Sequence, residues 1–164
     1  MDKKILNKDE IEKKIKRISL QIIESNISEE EIIIIGIYEN GFTLAGKLSN
    51  EIKNNSAIKT LLDKLIIDKK NPRSKLTTSL SKEIYKNKSI IIIDDVLNTG
   101  STLMYAIKHI LNNDVKKIQT AVLVDRNHKK YPVKVDFKGL SLSTSIHNHV
   151  EVSINEKEIN AFLV

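Results

Sequence analysis

The sequence predicts a parallel, doubly wound α/β sheet, and three observations lead there. EIIIIGI, residues 31 to 37, and SIIII, residues 89 to 93, are unbroken β-branched runs of the kind buried on both faces of a parallel sheet. Each is followed by a short polar turn. Apolar residues at helical spacing come next, so strand and helix alternate through the middle of the chain.

Taken in order, Asn7 and Glu10 have the spacing of an N-cap and its reciprocal partner. Ile11, Ile15, Ile18 and Ile22 then form a helical stripe with Lys13, Lys14 and Arg17 mostly off it. After the strand at 31 to 37, the turn YENG leads into a helix from about Phe42 to Asn54, with Phe42, Ala45, Leu48 and Ile52 inward. Thr60 to Ile67 reads as a third strand. Asp68 to Lys88 is polar and basic, holds Pro72 and has no period, which predicts a long mobile loop. The strand from Ser89 runs into Asp94 and Asp95, and Leu103, Ala106, Ile107, Ile110 and Leu111 continue at helical spacing. Ile118 to Val124 is a further strand. The alternation at Val133, Val135 and Phe137, and again at Val150, Val152 and Ile154, predicts short antiparallel strands.

With 164 residues and no internal repeat or linker, the chain is expected to form one domain around a single core. It contains no cysteine, which excludes disulfides and thiolate catalysis and fits a reducing cytoplasm. The first residues, MDKKILNKDEIEKKIKR, are too charged for a signal peptide, and no apolar run approaches the ~20 residues of a membrane span. The expectation is a soluble cytoplasmic protein. The net charge of +6 admits nucleic acid or phosphorylated small molecules as partners. The chain is rich in Lys, Ile and Asn together, so compositional bias explains the charge as readily as a selected surface does.

DDVLNTGST, residues 94 to 102, carries the chemistry. Thr99, Gly100, Ser101 and Thr102 bring hydroxyls and backbone N–H groups to the start of a helix, where unpaired donors and the helix dipole favour a phosphate. Gly100 lets the backbone approach the anion. Asp94 and Asp95 would be repelled by that phosphate, so they need sugar hydroxyls or a Mg²⁺ that already carries phosphate. The loop therefore describes a phosphorylated ribose. An acidic turn beside a capped helix is the commoner arrangement, but two carboxylates next to four phosphate-type donors make it the weaker account.

IIIIDDVLNTGST resembles the phosphoribosyl pyrophosphate (PRPP) motif of the type I phosphoribosyltransferases. AVLVDRNHKKYPVKVDFKG, residues 121 to 139, and GIYENGFTLAGKL, residues 36 to 48, resemble segments of the pyrimidine-operon attenuation regulators that are also uracil phosphoribosyltransferases. The similarity runs from about Leu6 to the C-terminus. It implies a twisted, mostly parallel sheet flanked by helices. A small hood over the base would come from about residues 1–28 and 135–164, and a lid over PRPP from about 69–88. It implies Mg²⁺ as cofactor and a homodimer. By the same resemblance, Glu39, Asn40 and Gly41 match the pyrophosphate loop, Asp94 and Asp95 the ribose acids, and Asn98 to Thr102 the 5′-phosphate loop. Arg126, Phe137 and Lys138 match base contacts, and Lys69, Lys70 and Arg73 fall in the lid. The implied reaction displaces pyrophosphate from C1 of PRPP with a ring nitrogen of a base.

Departures from the pattern carry information. Purine-specific relatives place an acid where this chain has Asn98, which cannot serve as a general base, so a pyrimidine, uracil, is the expected acceptor. The regulators carry arginines where Asn40 and Ser101 stand, and an arginine near residues 68 to 70 where this chain has Asp68, Lys69 and Lys70. Losing guanidinium groups from phosphate sites cuts against strong turnover. The alternative is therefore a PRPP- or nucleotide-sensing, RNA-binding regulator of pyrimidine genes with weak or no catalysis. His128, Lys129 and Lys134 fall in the basic RNA-contact neighbourhood of the resembling proteins, with lysine replacing arginine at Lys129 and Lys134. His109 is expected on the solvated side of its helix. His147 and His149 would share a face if they lay on a strand, but no third metal ligand stands near them.

Overall fold

The computed structural model describes residues 2–164, among which there are nine strands and three α-helices. Helix α1 (Lys8–Ser25) starts at the expected capping box: the Asn7 side chain accepts from the Glu10 N–H at 3.0 Å, and Glu10 Oε2 accepts from the Asn7 N–H at 2.8 Å. Its stripe of Ile11, Ile15, Ile18 and Ile22 is buried. Strand β2 (Glu31–Ile37), helix α2 (Asn40–Asn55) and strand β3 (Lys59–Ile66) follow. Strand β5 (Ser89–Leu97), helix α3 (Ser101–Ile110) and strand β6 (Lys117–Asp125) make the second strand–helix–strand unit. The main sheet has the order β4-β3-β2-β5-β6-β7, where β4 is Thr77–Thr78 and β7 is Phe137–Ser141. All its pairings are parallel except β3 with β4. Strands β1 (Lys3–Leu6), β9 (Ile159–Leu163) and β8 (Val150–Ile154) form a separate antiparallel sheet.

The isoleucine runs explain the layering. Successive side chains of a strand point to opposite faces, so Ile32, Ile34, Ile91 and Ile93 pack with α1 and α2, while Ile33, Ile35, Ile90 and Ile92 pack with α3 and Tyr85. All eight are fully buried, and each such side chain contributes roughly 1.5–3 kcal/mol of transfer free energy. The chain leaves β2 through α2 to reach β3 on one side, and leaves β5 through α3 to reach β6 on the other. Because β2 and β5 are neighbours, their carboxyl ends flank a topological switch point, where open α/β sheets leave a crevice for ligands.

Several elements differ from the sequence expectation. Strand β5 continues past Ile93 to Leu97, so Asp94 and Asp95 are strand residues rather than turn residues; pairing with Val122, Val124 and Asp125 of β6 carries it on. The segment after β3 is not a featureless loop. It contains β4 and a 3-10 helix, Lys82–Tyr85, and Tyr85 is buried with its hydroxyl donating to Asp63. Val133 and Val135 are buried but belong to no strand, and β7 pairs parallel with β6, not antiparallel. Residues 126–136 run back so that β7 starts beside Ala121, held by Thr120 N–H on Asp136 Oδ2 at 2.9 Å. Of the segments expected to form a hood, α1 packs on α2 and β7, and β1, β8 and β9 make up the small sheet. Phe42 is only half-buried, with Leu44 taking the core position, and Leu111, just past α3, is exposed. Among the described residues no helix is long and apolar enough to cross a membrane.

Candidate functional site

A cavity of about 200 Å³ opens at the switch point. Its wall is the continuous run Asp94 to Leu103, joined by Lys69 from the segment after β3 and Val150 from the small sheet. The turn Asn98–Gly100 connects β5 to α3, and Gly100 is its N-cap with φ +86°. That left-handed conformation suits glycine, and a Cβ would stand 3.3 Å from Val133 Cγ1. The Thr99 carbonyl accepts from the N–H groups of Lys130 at 2.7 Å and Tyr131 at 3.1 Å, so the 126–133 segment braces the turn from behind. Ser101 N–H reaches Thr99 Oγ1 at 3.2 Å. The result is a helix N-terminus ringed by three hydroxyls, a ready anion site.

Asp94 is buried and Asp95 half-buried. Burial pushes the Asp94 carboxyl up to about 7; the Asp95 charge adds to this, and Lys69 opposes it. Lys69 Nζ lies 3.1 Å from Asp94 Oδ1 and 3.8 Å from Asp95 Oδ1. Burial of the ammonium works against its charge, but the two carboxylates outweigh it and hold Lys69 above the usual lysine range. The Asp95 N–H donates to Asp94 Oδ1 at 2.9 Å and the Val96 N–H to Asp95 Oδ1 at 2.8 Å, so local backbone fixes both carboxylates.

The loop from β2 arrives beside this pair. The Tyr38–Glu39 peptide is cis. Glu39 precedes α2, whose first residues are Asn40 and Gly41. Asn40 Nδ2 donates to Asp95 Oδ2 at 3.0 Å and to the Val152 carbonyl at 2.8 Å. A Cβ on Gly41 would come within 2.8 Å of the Ile93 carbonyl, and one on Gly36 within 2.3 Å of Phe42 Cα. Only glycines let α2 sit this close to the two strands.

The structure thus brings together Asp94, Asp95, Asn98 to Thr102, Asn40, Gly41 and Lys69. The other expected residues are placed differently. Arg126 is buried and spent on the protein: it donates to Asn98 Oδ1 at 2.8 Å, to Thr144 Oγ1 at 3.2 and 3.3 Å, and to the Asn148 carbonyl. Phe137 is buried in the core facing α1 and does not line the cavity. Lys138 pairs with buried Asp125 at 3.2 Å. Lys70 is exposed, with its N–H in a turn on Asp68 Oδ1 at 2.9 Å. Arg73 lines a separate groove against α3, together with half-buried His109. Burial and nearby Lys82 lower the pKa of His109. The His128 ring is engaged by the Thr144 carbonyl, whereas Lys129 and Lys134 are exposed. His147 lies in a turn, so it shares no strand face with His149.

Sequence reasoning missed several residues that position the site. Asp63 accepts from Tyr85 and from the N–H groups of Lys64, Ser79 and Leu80 at 2.7, 2.8 and 3.2 Å, tying the 77–85 segment to β3. A lone acid inside the apolar strand TLLDKLII was the available signal, since a buried carboxylate needs donors. Arg17 donates to the carbonyls of Lys138 and Gly139, at 3.1 and 2.7 Å, and holds β7 from α1. Nothing local in the sequence marks it.

The family described as "Phosphoribosyl transferase domain" matches residues 2–157. The protein named "Bifunctional protein PyrR" of Pediococcus pentosaceus is 34% identical over 95% of this chain and 94% of its own length. Its namesake in Fusobacterium nucleatum is 34% identical over 93% of this chain and 90% of its own. Among solved structures, the hypoxanthine phosphoribosyltransferase of Trypanosoma cruzi superposes with a TM-score of 0.81 at 16% identity, covering 98% of this chain and 95% of that one. A hypoxanthine-guanine phosphoribosyltransferase of Bacillus anthracis gives 0.77 at 19%, covering 99% and 98%. These structures share the fold, and the sequence relatives place the chain within it: it belongs to the phosphoribosyl transferase family.

Proposed function

We propose that this chain transfers the 5-phosphoribosyl group of PRPP to uracil, giving UMP and pyrophosphate. The observation that carries the reading is the unbroken cavity wall from Asp94 to Thr102 at the switch point, with acids at one end and phosphate donors at the other. In this reading Thr99, Ser101 and Thr102 hydroxyls and the first N–H groups of α3 hold the 5′-phosphate. Asp94 and Asp95 accept from the ribose hydroxyls. Backbone N–H groups of Glu39, Asn40 and Gly41 meet the pyrophosphate. The bond from C1 to the pyrophosphate oxygen breaks as the bond from C1 to the ring nitrogen forms, so the protein's task is alignment and stabilisation of the leaving charge.

The acid pair fits a Mg²⁺, because it already draws a cationic group, the Lys69 ammonium, to within 3.1 and 3.8 Å. Among the described residues no cluster of three or more His, Cys, Asp or Glu is placed to hold a metal. Asp94 and Asp95 would therefore hold the ion together with the phosphates of the ligand. When bound, Mg²⁺ neutralises charge on the leaving pyrophosphate.

Asn98 supports a pyrimidine acceptor. Arginine only donates, so the contact from Arg126 takes the Asn98 carbonyl oxygen and leaves the amide NH₂ for the cavity side. That group is a neutral donor, suited to a carbonyl oxygen of uracil and unable to take a proton from a ring N–H. Arg126 acts behind Asn98, not on the base itself.

The relatives named "Bifunctional" favour a second activity, and RNA is its proposed partner. With His128 engaged, exposed Lys129 and Lys134 would carry it. Lysine contacts of that kind are electrostatic and weaken steeply with salt. We place both activities in the cytoplasm.

Uracil-dependent pyrophosphate release with PRPP and Mg²⁺, alongside hypoxanthine and guanine, tests the assignment. Turnover with uracil alone is expected; turnover with a purine and not uracil overturns it. Asp94→Asn combined with Asp95→Asn should abolish PRPP binding by calorimetry while leaving the circular dichroism spectrum unchanged.

A further inference from the structure

We infer that Lys69 is the resident counter-ion of the acid pair, holding the carboxylate oxygens that a ribose diol or a metal would use and withdrawing when ligand enters. The pairing stands on the geometry; what displaces the amine rests on the PRPP reading above.

Two adjacent carboxylates, one buried, repel each other and need positive charge nearby. Backbone donors and Asn40 satisfy some of their oxygens but bring no net charge. Among the described residues, Lys69 is the cation within 4 Å of either carboxylate. It reaches them from just beyond the end of β3, on a turn closed by Lys70 N–H to Asp68 Oδ1 at 2.9 Å and Asn71 N–H to the Asp68 carbonyl at 3.1 Å. About half of its side chain remains exposed, so the ammonium enters from the cavity mouth and can leave the same way.

A sugar diol or a divalent cation must use the same carboxylate oxygens, so it competes with Lys69. Once displaced, the ammonium stands at the mouth by which an anionic pyrophosphate enters, and its charge then serves the ligand. One residue thereby ties down the root of the 68–76 segment while paired with the acids and releases it when ligand takes their oxygens. The groups facing Lys69 are the two carboxylates and the α3 N-terminal turn across the cavity. Lysine suits this exchange better than arginine, because a point charge on a flexible stem leaves more readily than a bidentate guanidinium.

The test uses the full chain without PRPP or base. Binding of Mn²⁺, followed by electron paramagnetic resonance, should become about tenfold tighter in Lys69→Met, where the competing charge is gone. Trypsin cleavage within residues 70 to 75 should accelerate in the same variant, and Lys69→Arg should restore slow cleavage. Equal Mn²⁺ affinity and equal cleavage rates in Lys69→Met and the parent protein would overturn the inference. Neither readout depends on turnover, so an absence of uracil transfer would count against the proposed function and leave this result standing.

Discussion

Gly100 shows how one residue can decide a site. Its φ of +86° lets the chain turn from β5 into α3 with the first N–H groups facing the cavity. The Gly-to-side-chain change was foreseeable in kind from TGST, but its cost depends on Val133, 33 positions away in sequence. Gly100→Ala should destabilise the fold by about 1–2 kcal/mol from the left-handed backbone alone, with the 3.3 Å approach to Val133 adding to it. Urea denaturation measures this, and calorimetry should show weaker PRPP binding under conditions where the variant is fully folded. Asp94 makes the complementary point. The sequence shows that it is acidic, whereas its carboxyl lies near 7 because the β5–β6 pairing buries it beside Asp95.

At the scale of an element, the segment between β3 and β5 is the most instructive. Its composition reads as a loop, yet its second half is fastened to one buried residue, Asp63, which accepts from the Tyr85 hydroxyl and from the Ser79 and Leu80 N–H groups. Burial and the bond to Asp63 push the Tyr85 phenol above its ordinary range, so it remains a donor to the carboxylate. Tyr85→Phe should cost about 2 kcal/mol, since a hydrogen bond to a charged acceptor is lost while the ring still fills its place. Hydrogen exchange should then quicken at Ser79 and Leu80, which share Asp63 as acceptor. Unchanged stability and exchange would show that the three backbone donors suffice without the phenol. The strands of the main sheet needed no such tie to be visible, because runs of isoleucine announce burial on both faces.

For the whole molecule, the two sheets meet at the site. Asn40 joins α2 to Asp95 and to Val152 of β8, and Arg126 joins β6 to Asn98, Thr144 and Asn148. Both residues were expected to contact ligand; in the structure their side chains brace the walls of the cavity. Assembly belongs to this scale as well. We propose a homodimer, and light scattering at micromolar concentration should give twice the 18.6 kDa chain mass. A species of 18.6 kDa alone would dismiss it.

By itself, the sequence determined the layered α/β plan, because period-2 burial of β-branched runs and 3.6-residue stripes are local consequences of backbone geometry. It also marked residues 94 to 102 as the stretch that lines the cavity, since DDVLNTGST supplies adjacent acids and helix-start donors within nine consecutive residues. Tertiary structure alone decided the direction of β7, the fastening of the 77–85 segment, the retreat of Phe137 into the core, and the meeting of Lys69 with Asp94. Each of these depends on residues brought together from distant parts of the chain, and such meetings are set by the packing of whole elements, which local pattern does not encode.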